Sequence, residues 1–236
     1  MPLFLFGEKE KAAQKEKLIW DNGNVRGMKI TDKELQRLQK LTEIDRTYWD
    51  QGLVLAGMDE VGRGPLAGPV VVGCVVMPHE PLLPYVNDSK KLSEKRREAL
   101  YEQILTISLA HATAWVGPEV IDEINILEAT RRGFAEAFSK IDIPVTDVLI
   151  DALRGLDIPA RQHPLIHGDA LSYSIGAASI LAKVARDRYM IEQDALYPQY
   201  GFARNKGYGT AEHIAALKEF GPCPIHRRSF IGHFVP

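Results

Sequence analysis

Two apolar runs joined by a glycine-rich turn constrain the fold of this chain more than any other feature. Residues 53–58 and 70–77 each have the length and apolar character of a buried strand. Asp59-Glu60 ends the first run, and Gly62-Arg63-Gly64 follows it. Because successive side chains of a strand point to opposite faces, the two carboxylates can share an ion only where the strand ends and bends. The glycines permit that bend and leave backbone N–H groups accessible to a ligand.

Length and charge limit the class of protein. The chain has 236 residues, enough for one large domain or a domain with a small appendage, and 45% of them are hydrophobic. The formal net charge is -2, so no overall basic field predicts nucleic-acid binding. The charge is uneven, however, because residues 201–236 carry five Lys or Arg against two acids. That end of the chain is a candidate phosphate-facing surface.

Cysteine usage and hydropathy exclude several further classes. The two cysteines, Cys74 and Cys223, provide neither a disulfide framework nor a zinc-ligand spacing, and Cys74 lies in an apolar run typical of a core strand. The apolar start, residues 1–7, is too short for a signal peptide and precedes charges instead of a cleavage site. No apolar run has the length of a membrane span. We therefore expect a soluble, cytoplasmic protein that binds no membrane.

The first fifty residues predict a helical extension ahead of the main domain. Charges alternate over residues 8–29, which favours a solvated helix or a loose arm. Thr31-Asp32-Lys33-Glu34 is a capping box, and leucines recur at helical spacing after it, so residues 32–48 are predicted to form an amphipathic helix that docks on the main domain. We place the extension in residues 1–50 and the main domain in residues 51–236.

The remainder of the chain alternates strands with helices. An antiparallel group of strands comes first, which together with the later alternation is typical of a mixed α/β sheet. Gly176-Ala177-Ala178-Ser179 gives the longest helix a narrow face for close packing on that sheet. Beyond the two strands of the turn, helices are predicted over residues 93–106, 118–123, 126–140, 173–195 and 211–220, and strands over residues 108–116, 145–151 and 164–167.

Four acids follow strand-like runs. Asp59 and Glu60 end one run, Asp151 ends another, and Asp169 ends a third. A carboxylate at the end of an apolar strand is costly to desolvate unless an arginine or a hard cation pairs with it. Mg²⁺ and Mn²⁺ prefer carboxylate oxygens, and four acids at one sheet edge could hold two ions about 4 Å apart, the spacing of phosphodiester-cleaving sites.

Simpler interpretations exist for each acid taken alone. The Asp-Glu pair could be the solvated tip of a hairpin, although a plain tip requires neither Arg63 nor its flanking glycines. Asp169 could be the N-cap of the helix that follows it, and Asp151 could be a turn residue. Asp187 follows Lys183 by four residues, so a surface ion pair explains it.

Several motifs resemble those of bacterial ribonuclease HII and occur in the family's order over about residues 53–230. The most extended is the segment that contains the two acids and the turn, residues 57–70. The others are Asn87-Asp88-Ser89-Lys90-Lys91-Leu92-Ser93, Glu123-Ile124-Asn125-Ile126-Leu127, Gly168-Asp169, residues 177–184, Arg186-Asp187, Tyr200-Gly201-Phe202, Lys206-Gly207-Tyr208 and His226-Arg227-Arg228-Ser229-Phe230.

The resemblance implies a fold and an activity. The fold is ribonuclease H-like, a mixed five-stranded sheet flanked by helices with a helical C-terminal part, in residues 51–236. The activity is that of a metal-dependent endoribonuclease of ribonuclease H type 2, with Mn²⁺ or Mg²⁺ as cofactor. An enzyme of this type cleaves RNA in RNA/DNA hybrids and 5′ to single ribonucleotides embedded in duplex DNA, and it leaves 3′-hydroxyl and 5′-phosphate ends. Those nucleic acids are the expected partners, and a monomer is the expected state.

The resemblance also assigns the acids of the site by motif. Asp59, Glu60, Asp151 and Asp169 resemble the four acidic residues that bind metal and carry catalysis in the family. One ion would activate a water, and the other would stabilise the leaving 3′-oxygen.

The turn and one tyrosine resemble the family's substrate-reading elements. Gly62, Arg63 and Gly64 resemble the turn that recognises the ribose 2′-hydroxyl at an RNA-to-DNA junction, and a 2′-hydroxyl both donates and accepts hydrogen bonds. Tyr208 resembles the tyrosine that stacks on the deoxyribose after that junction. Five cations are candidate phosphate contacts, although each is individually more typical of a solvated surface charge. They are Lys90, Lys91, Lys183, Arg227 and Arg228.

Three positions depart from the family pattern, and none is one of the four acids. His167 stands where lysine is usual, Ala152 where glycine is common, and Gly176 where alanine is usual. Two other functions stay open: a DNA nuclease or resolvase on the same acidic fold, and a non-catalytic protein that binds hybrids. The first needs neither the Gly-Arg-Gly turn nor Tyr208, and the second gains nothing from acids clustered against phosphate.

Overall fold

The computed structural model describes residues 20–21, 24–25 and 30–235. Trp20–Asp21 and Asn24–Val25 pair as short antiparallel strands, and the rest of the arm expected over residues 8–29 lies outside the described residues. Within the described part of the chain, no helix is long and apolar enough to cross a membrane.

A mixed five-stranded sheet forms the centre of the fold, as the sequence predicted. The strands are β1 (Leu55–Val61), β2 (Val70–Val76), β3 (Ala110–Val116), β4 (Asp147–Asp151) and β5 (Arg161–Leu165). They lie in the order β3-β2-β1-β4-β5. β1, β2 and β3 pair antiparallel, whereas β1 pairs parallel with β4, and β4 pairs parallel with β5. The antiparallel group predicted for the first strands is therefore confirmed.

Helices cover both faces of this sheet. In chain order they are α1 (Asp32–Leu41), α2 (Glu43–Trp49), α3 (Glu94–Ile107), α4 (Pro118–Ser139), α5 (Gly168–Leu171), α6 (Tyr173–Leu196), α7 (Phe202–Asn205), α8 (Ala211–Phe220) and α9 (Arg228–Ile231). Short 3₁₀ turns lie at Ser89–Lys91 and Pro198–Tyr200. α6 packs against one face with α1, α2 and α3, and α4 packs against the other.

The close approach of α6 to the sheet explains two strand glycines. A Cβ on Gly57 would lie 2.1 Å from the carbonyl carbon of Ser174, and a Cβ on Gly73 would lie 2.5 Å from the carbonyl oxygen of Ala178. Of the narrow face predicted over residues 176–179, Ala178 makes a backbone contact with the sheet, Ser174 one turn earlier makes another, and Gly176 faces the loop at Val86 instead. This packing fixes α6 against the strands that lead to the candidate site.

Most predicted elements are confirmed, and several boundaries differ. The helix expected over residues 32–48 is interrupted at Thr42 and forms α1 and α2. α4 contains both helices predicted after Pro118, with a kink at Asn125, where φ is 66°. β5 begins at Arg161 and is more polar than expected, because an edge strand tolerates charges that give no apolar signal. Residues 201–210, where neither a helix nor a strand was predicted, include the short helix α7.

α1 and α2 pack into the main hydrophobic core. Leu38, Leu41 and Trp49 are all buried and belong to the same cluster as the α6 face of the sheet. The carboxylate of Asp45 accepts hydrogen bonds from the N–H groups of Tyr173, at 3.0 Å, and of Ser174, at 2.8 Å, at the start of α6. The boundary at residue 50 stays a prediction, while the described part of the extension is integrated with the core.

Candidate active site

The parallel pairing of β1 with β4 brings the predicted acids to one edge of the sheet. The register of the two strands places Asp151, the last residue of β4, beside the position of Asp59. Asp169 is in the first turn of α5, and the N–H of the preceding Gly168 donates to Asp151 Oδ1 at 2.8 Å. Asp169 is not a helix N-cap, because it lies inside α5 and Ser172 caps α6. Three elements therefore contribute carboxylates to one place.

Asp59 is buried among like charges, with 6% of its surface exposed. Burial and the negative charges of Glu60, Asp151 and Asp169 raise the pKa of Asp59 well above its usual value, while a hydrogen bond from Ser179 opposes this increase. The N–H of Glu60 donates to Asp59 Oδ1 at 2.8 Å, which fixes the orientation of the carboxylate. A positive ion at this position would relieve the repulsion between the acids.

Cations from neighbouring loops lie near two of the other acids, Glu60 and Asp169. Burial raises the pKa of Glu60, and Arg63, whose Nη1 lies 3.5 Å from Glu60 Oε1, opposes this increase. Burial and the charge of Asp88 raise the pKa of Asp169, and Lys90 lowers it. Burial by itself lowers the pKa of Lys90, but the surrounding acids raise it above its usual value. The ammonium group of Lys90 therefore lies in the field of the acidic cluster.

Asp88 is a fifth carboxylate at this site, and no role was predicted for it from the sequence. Its side chain lies close enough to Asp169 to raise the pKa of that acid, and its Oδ1 accepts from the N–H of Lys90 at 2.9 Å. The same loop is tied to α6, because Ser89 Oγ lies 2.9 Å from Ser179 Oγ. Asp88 follows no strand-like run, so its place in the Asn-Asp-Ser-Lys-Lys motif was the available signal.

The donor set fits a hard divalent cation. Carboxylates whose pKa is raised by their neighbours are stabilised by a shared positive charge, and Mg²⁺ and Mn²⁺ prefer carboxylate oxygens. Among residues 30–235, no three acidic, histidine or cysteine side chains already surround a single point as metal ligands. That arrangement is compatible with Mg²⁺-type binding, in which one or two carboxylates hold the ion and waters or substrate phosphates complete the coordination.

Two buried arginines support the Gly62-Arg63-Gly64 turn. Arg227 donates to the carbonyl oxygens of Gly62 and Arg63 at 2.5 and 2.8 Å, and Arg186 donates to that of Pro69 at 2.9 Å. Gly62 has a φ of 91°, and a Cβ there would lie 2.3 Å from Arg186 Nε, so the turn requires glycine. Arg227 is fully buried, which favours a positioning role over the expected phosphate contact.

Tyr208 lies beside the same turn. A Cβ built on Gly64 would lie 4.0 Å from Tyr208 Cε1, and the tyrosine is 43% exposed. The loop that carries it is fixed to the chain after the turn, because the N–H of Leu66 donates to the carbonyl oxygen of Gly207 at 2.8 Å. Since Arg63 contacts Glu60, the turn joins the tyrosine to the acidic cluster.

The remaining candidate phosphate contacts differ in their environment. Lys183 is partly buried and donates to Asp187 Oδ1 at 2.7 Å, and Arg97 lies 3.7 Å from the same carboxylate. The ion pair expected for Asp187 is present, but it is buried and not on the surface, because α3 covers it with Arg97. Lys91 and Arg228 are exposed.

The three departures from the family pattern leave the acids in place. Ala152 and His167 have φ values of 52° and 59°, a left-handed conformation that glycine adopts at lower cost. At Gly176, a Cβ would lie 3.2 Å from Val86 Cγ1, so the glycine allows the loop before Asp88 to pack closely on α6.

Comparison with known proteins identifies the family. The ribonuclease HII family model matches residues 56–233. The chain belongs to the ribonuclease HII family. Ribonuclease HII of Ruminiclostridium cellulolyticum is 51% identical over 205 residues, covering 86% of this chain and 80% of the relative. Ribonuclease HII of Caldanaerobacter subterraneus is 48% identical over 201 residues, covering 85% and 83%. As a family member, the chain is a metal-dependent endoribonuclease of ribonuclease H type 2.

Solved structures confirm the fold of this ribonuclease HII family member. The crystal structure of ribonuclease H2 from Pyrococcus horikoshii matches with a TM-score of 0.63 at 28% identity, covering 75% of this chain and 93% of that one. The ribonuclease HII of Archaeoglobus fulgidus, solved in a complex with PCNA, gives the same values. Bst-RNase HIII in complex with Mn²⁺ matches with a TM-score of 0.57 at 18% identity, which shows a shared fold alone.

Proposed function

We propose that this enzyme cleaves RNA in RNA/DNA hybrids and cuts 5′ to single ribonucleotides embedded in duplex DNA. The reaction is two-metal phosphodiester hydrolysis, with 3′-hydroxyl and 5′-phosphate products. The proposal rests on a continuous series of contacts at the edge of the sheet. Four carboxylates converge there, Arg63 connects Glu60 to the turn, and Gly64 of the turn lies against Tyr208.

The acids would hold the metal ions. Asp59, Glu60, Asp151 and Asp169 supply the carboxylate oxygens, and Mn²⁺ or Mg²⁺ bound there would provide an activated water and stabilise the leaving oxygen. Asp59 is held in one orientation by the N–H of Glu60, so its oxygens need little reorganisation on binding. The Lys90 ammonium group lies among the acids and adds a positive charge that can contact the phosphate of the substrate.

The turn and Tyr208 would select the RNA-to-DNA junction. The carbonyl oxygens of Gly62 and Arg63 accept hydrogen bonds from Arg227, so the turn is fixed before substrate arrives. Its accessible backbone groups and the Arg63 side chain can bond a 2′-hydroxyl on the 5′ side. The half-exposed ring of Tyr208 can pack on the sugar that follows, and a ring in contact with deoxyribose leaves no room for an added hydroxyl.

A panel of three duplexes tests the proposal. The substrates are a DNA duplex with one ribonucleotide, a long RNA/DNA hybrid and an all-DNA duplex, each assayed with Mn²⁺, with Mg²⁺ and with chelator. We expect metal-dependent cleavage of the first two substrates and none of the third. Cleavage of the all-DNA duplex would favour a DNA nuclease or resolvase, and tight binding without any cleavage would favour a non-catalytic hybrid-binding protein.

A further inference from the structure

A pair of buried histidines lies outside the acidic cluster and has no role in the proposed chemistry. His213 is in α8 and His226 is in the segment before α9, and they are 0% and 2% exposed. Their Nε2 atoms lie 3.0 Å apart. The rings of Tyr200 and Phe202 pack around both imidazoles, so neither histidine has access to water.

The contacts of this pair allow one arrangement of protons. The N–H of Cys223 donates to His226 Nδ1 at 3.0 Å, so that nitrogen is an acceptor and the neutral ring carries its proton on Nε2. His226 Nε2 therefore donates to His213 Nε2, which leaves the His213 proton on Nδ1. That proton faces the carbonyl oxygen of Tyr208 at 2.8 Å. The result is a directed hydrogen-bond chain from Cys223 to Tyr208.

Both histidines are neutral in this hydrogen-bond chain. Burial lowers the pKa of His213, and burial together with His213 lowers the pKa of His226 to about 4. A proton added to either ring would turn an acceptor nitrogen into a donor that faces another N–H group. The cluster is not arranged as a metal site, because Cys223 and His213 approach opposite nitrogens of the His226 ring.

The His226 end of this hydrogen-bond chain is fixed to the segment that follows the Gly62-Arg63-Gly64 turn. His226 forms an antiparallel bridge with Ala67, and the N–H of Arg227 donates to the carbonyl oxygen of Leu66 at 2.9 Å. The guanidinium of Arg227 in turn holds the carbonyl oxygens of the turn. His226 is therefore attached to the turn through its backbone and to the Tyr208 loop through its side chain.

We propose that His213 and His226 are positioning residues that set the distance between Tyr208 and the turn, and thereby the enzyme's preference for an RNA-to-DNA junction. The inference rests on the proposed function, because it concerns the two elements assigned to junction reading. The backbone of Tyr208 is held locally, because its N–H donates to the carbonyl oxygen of Asn205 at 2.9 Å and its carbonyl oxygen accepts from the N–H of Thr210 at 2.8 Å. The bond from His213 to the same carbonyl oxygen ties this local turn to His226, and it comes from a side chain that mutation can remove.

Two isosteric substitutions at one position separate positioning from general stability. In His213→Asn the amide nitrogen replaces Nδ1, so the bond to the Tyr208 carbonyl can form. In His213→Gln the amide reaches the position of Nε2, so the bond to His226 can form and the bond to Tyr208 is lost. The readout is the ratio of the kcat/KM for a single embedded ribonucleotide to that for a long RNA/DNA hybrid. We expect His213→Gln to lower this ratio roughly threefold to tenfold, because one hydrogen bond is lost. We expect His213→Asn to have a ratio close to that of the wild-type enzyme, because it can keep that bond.

The outcomes are distinguishable from failure of the proposed function. If the wild-type enzyme does not cut at a single ribonucleotide, the proposed function fails. If it does, an unchanged ratio in His213→Gln, or equal losses on both substrates in both variants, overturns the positioning role. Nitrogen-15 NMR of the wild-type enzyme tests it even if a variant fails to fold. We expect neutral rings at pH 7 with the proton on Nδ1 of His213 and Nε2 of His226, and the opposite tautomer of His213 would contradict the inference.

Discussion

Asp59 is the residue on which the proposed chemistry depends most. Its pKa is raised by burial and by neighbouring acids, so its ionised carboxylate is held in an unfavourable environment. We expect Asp59→Asn to reduce turnover by more than the roughly 10- to 100-fold that outer-shell partners of a metal cost, with a melting temperature that is unchanged or higher. Glu60→Gln and Asp151→Asn should behave alike. Initial rates and thermal melts measure both effects, and an unchanged rate in Asp59→Asn would refute the assignment.

Tyr208 should affect the choice of substrate more than the chemistry. Stacking of this kind contributes about 1–3 kcal/mol, so Tyr208→Ala should slow cleavage at a single embedded ribonucleotide roughly 5- to 150-fold. Tyr208→Phe is the matched control and should be mild, because it keeps the ring. Cleavage inside a long hybrid should decrease less than cleavage at the junction. Equal losses on both substrates with a lower melting temperature would show that the ring only anchors its loop.

Individual residues differ in how far the sequence predicts their roles. Asp59 and Asp151 were identifiable because each ends an apolar strand, where an unpaired carboxylate needs a partner. Asp88 and Arg227 were not, because their roles depend on contacts with residues distant in sequence. A local pattern does not show that an arginine is buried under a turn, so Arg227 was predicted to contact the phosphate of the substrate.

At the scale of secondary-structure elements, α2 stabilises the start of α6. The Asp45 carboxylate accepts from the hydroxyl of Ser172 at 3.2 Å, besides the two backbone N–H groups. Loss of a helix cap costs about 0.5–2 kcal/mol, and donors left unpaired in the core add to that cost, so Asp45→Ala should lower the melting temperature measurably. Asp45→Asn keeps one acceptor oxygen and should be less destabilised. Equal melting temperatures for Asp45→Ala and wild type would contradict this role.

The same packing predicts how truncations behave. Deletion of residues 1–50 removes Leu38, Leu41 and Trp49 from the main core, whereas deletion of residues 1–29 removes none of them. We expect the longer deletion to lower the melting temperature strongly and the shorter one to leave it nearly unchanged, because the longer deletion removes these three core side chains and the shorter one keeps them. Differential scanning fluorimetry of both proteins measures the difference. A longer deletion as stable as the full chain would show that the extension is independent.

Helices followed by a proline or glycine stop signal were predicted well, and edge elements were not. α6 stops at Tyr197, before Pro198, and α8 stops at Gly221, before Pro222, both close to their predicted ends. β5 was placed three residues late, because its exposed edge carries Arg161, which pairs with the buried Asp147. The interruption at Thr42 left no signal, since the apolar spacing continues through it.

For the whole molecule, the buried histidines predict how stability responds to acid. Burial, His213 and the nearby positive charge of Arg228 keep the pKa of His226 at about 4, below the ordinary value of 6.5. The unfolded chain therefore binds protons first as pH falls, so the stabilisation is fully present above about pH 6.5 and is lost progressively toward pH 4. His226→Gln should show a flatter decline of melting temperature over this interval. A decline of equal steepness would assign the acid sensitivity to other groups.

The most direct test of the central claim is to map the ends produced from a DNA duplex that contains one ribonucleotide. Wild-type enzyme and Asp59→Asn would be compared with Mn²⁺, with Mg²⁺ and with chelator. We predict a single metal-dependent cut 5′ to the ribonucleotide, with a 3′-hydroxyl on one product and a 5′-phosphate on the other, and almost no product from Asp59→Asn. Cleavage that persists in chelator, cuts at other positions in the DNA, or wild-type activity in Asp59→Asn would contradict the account.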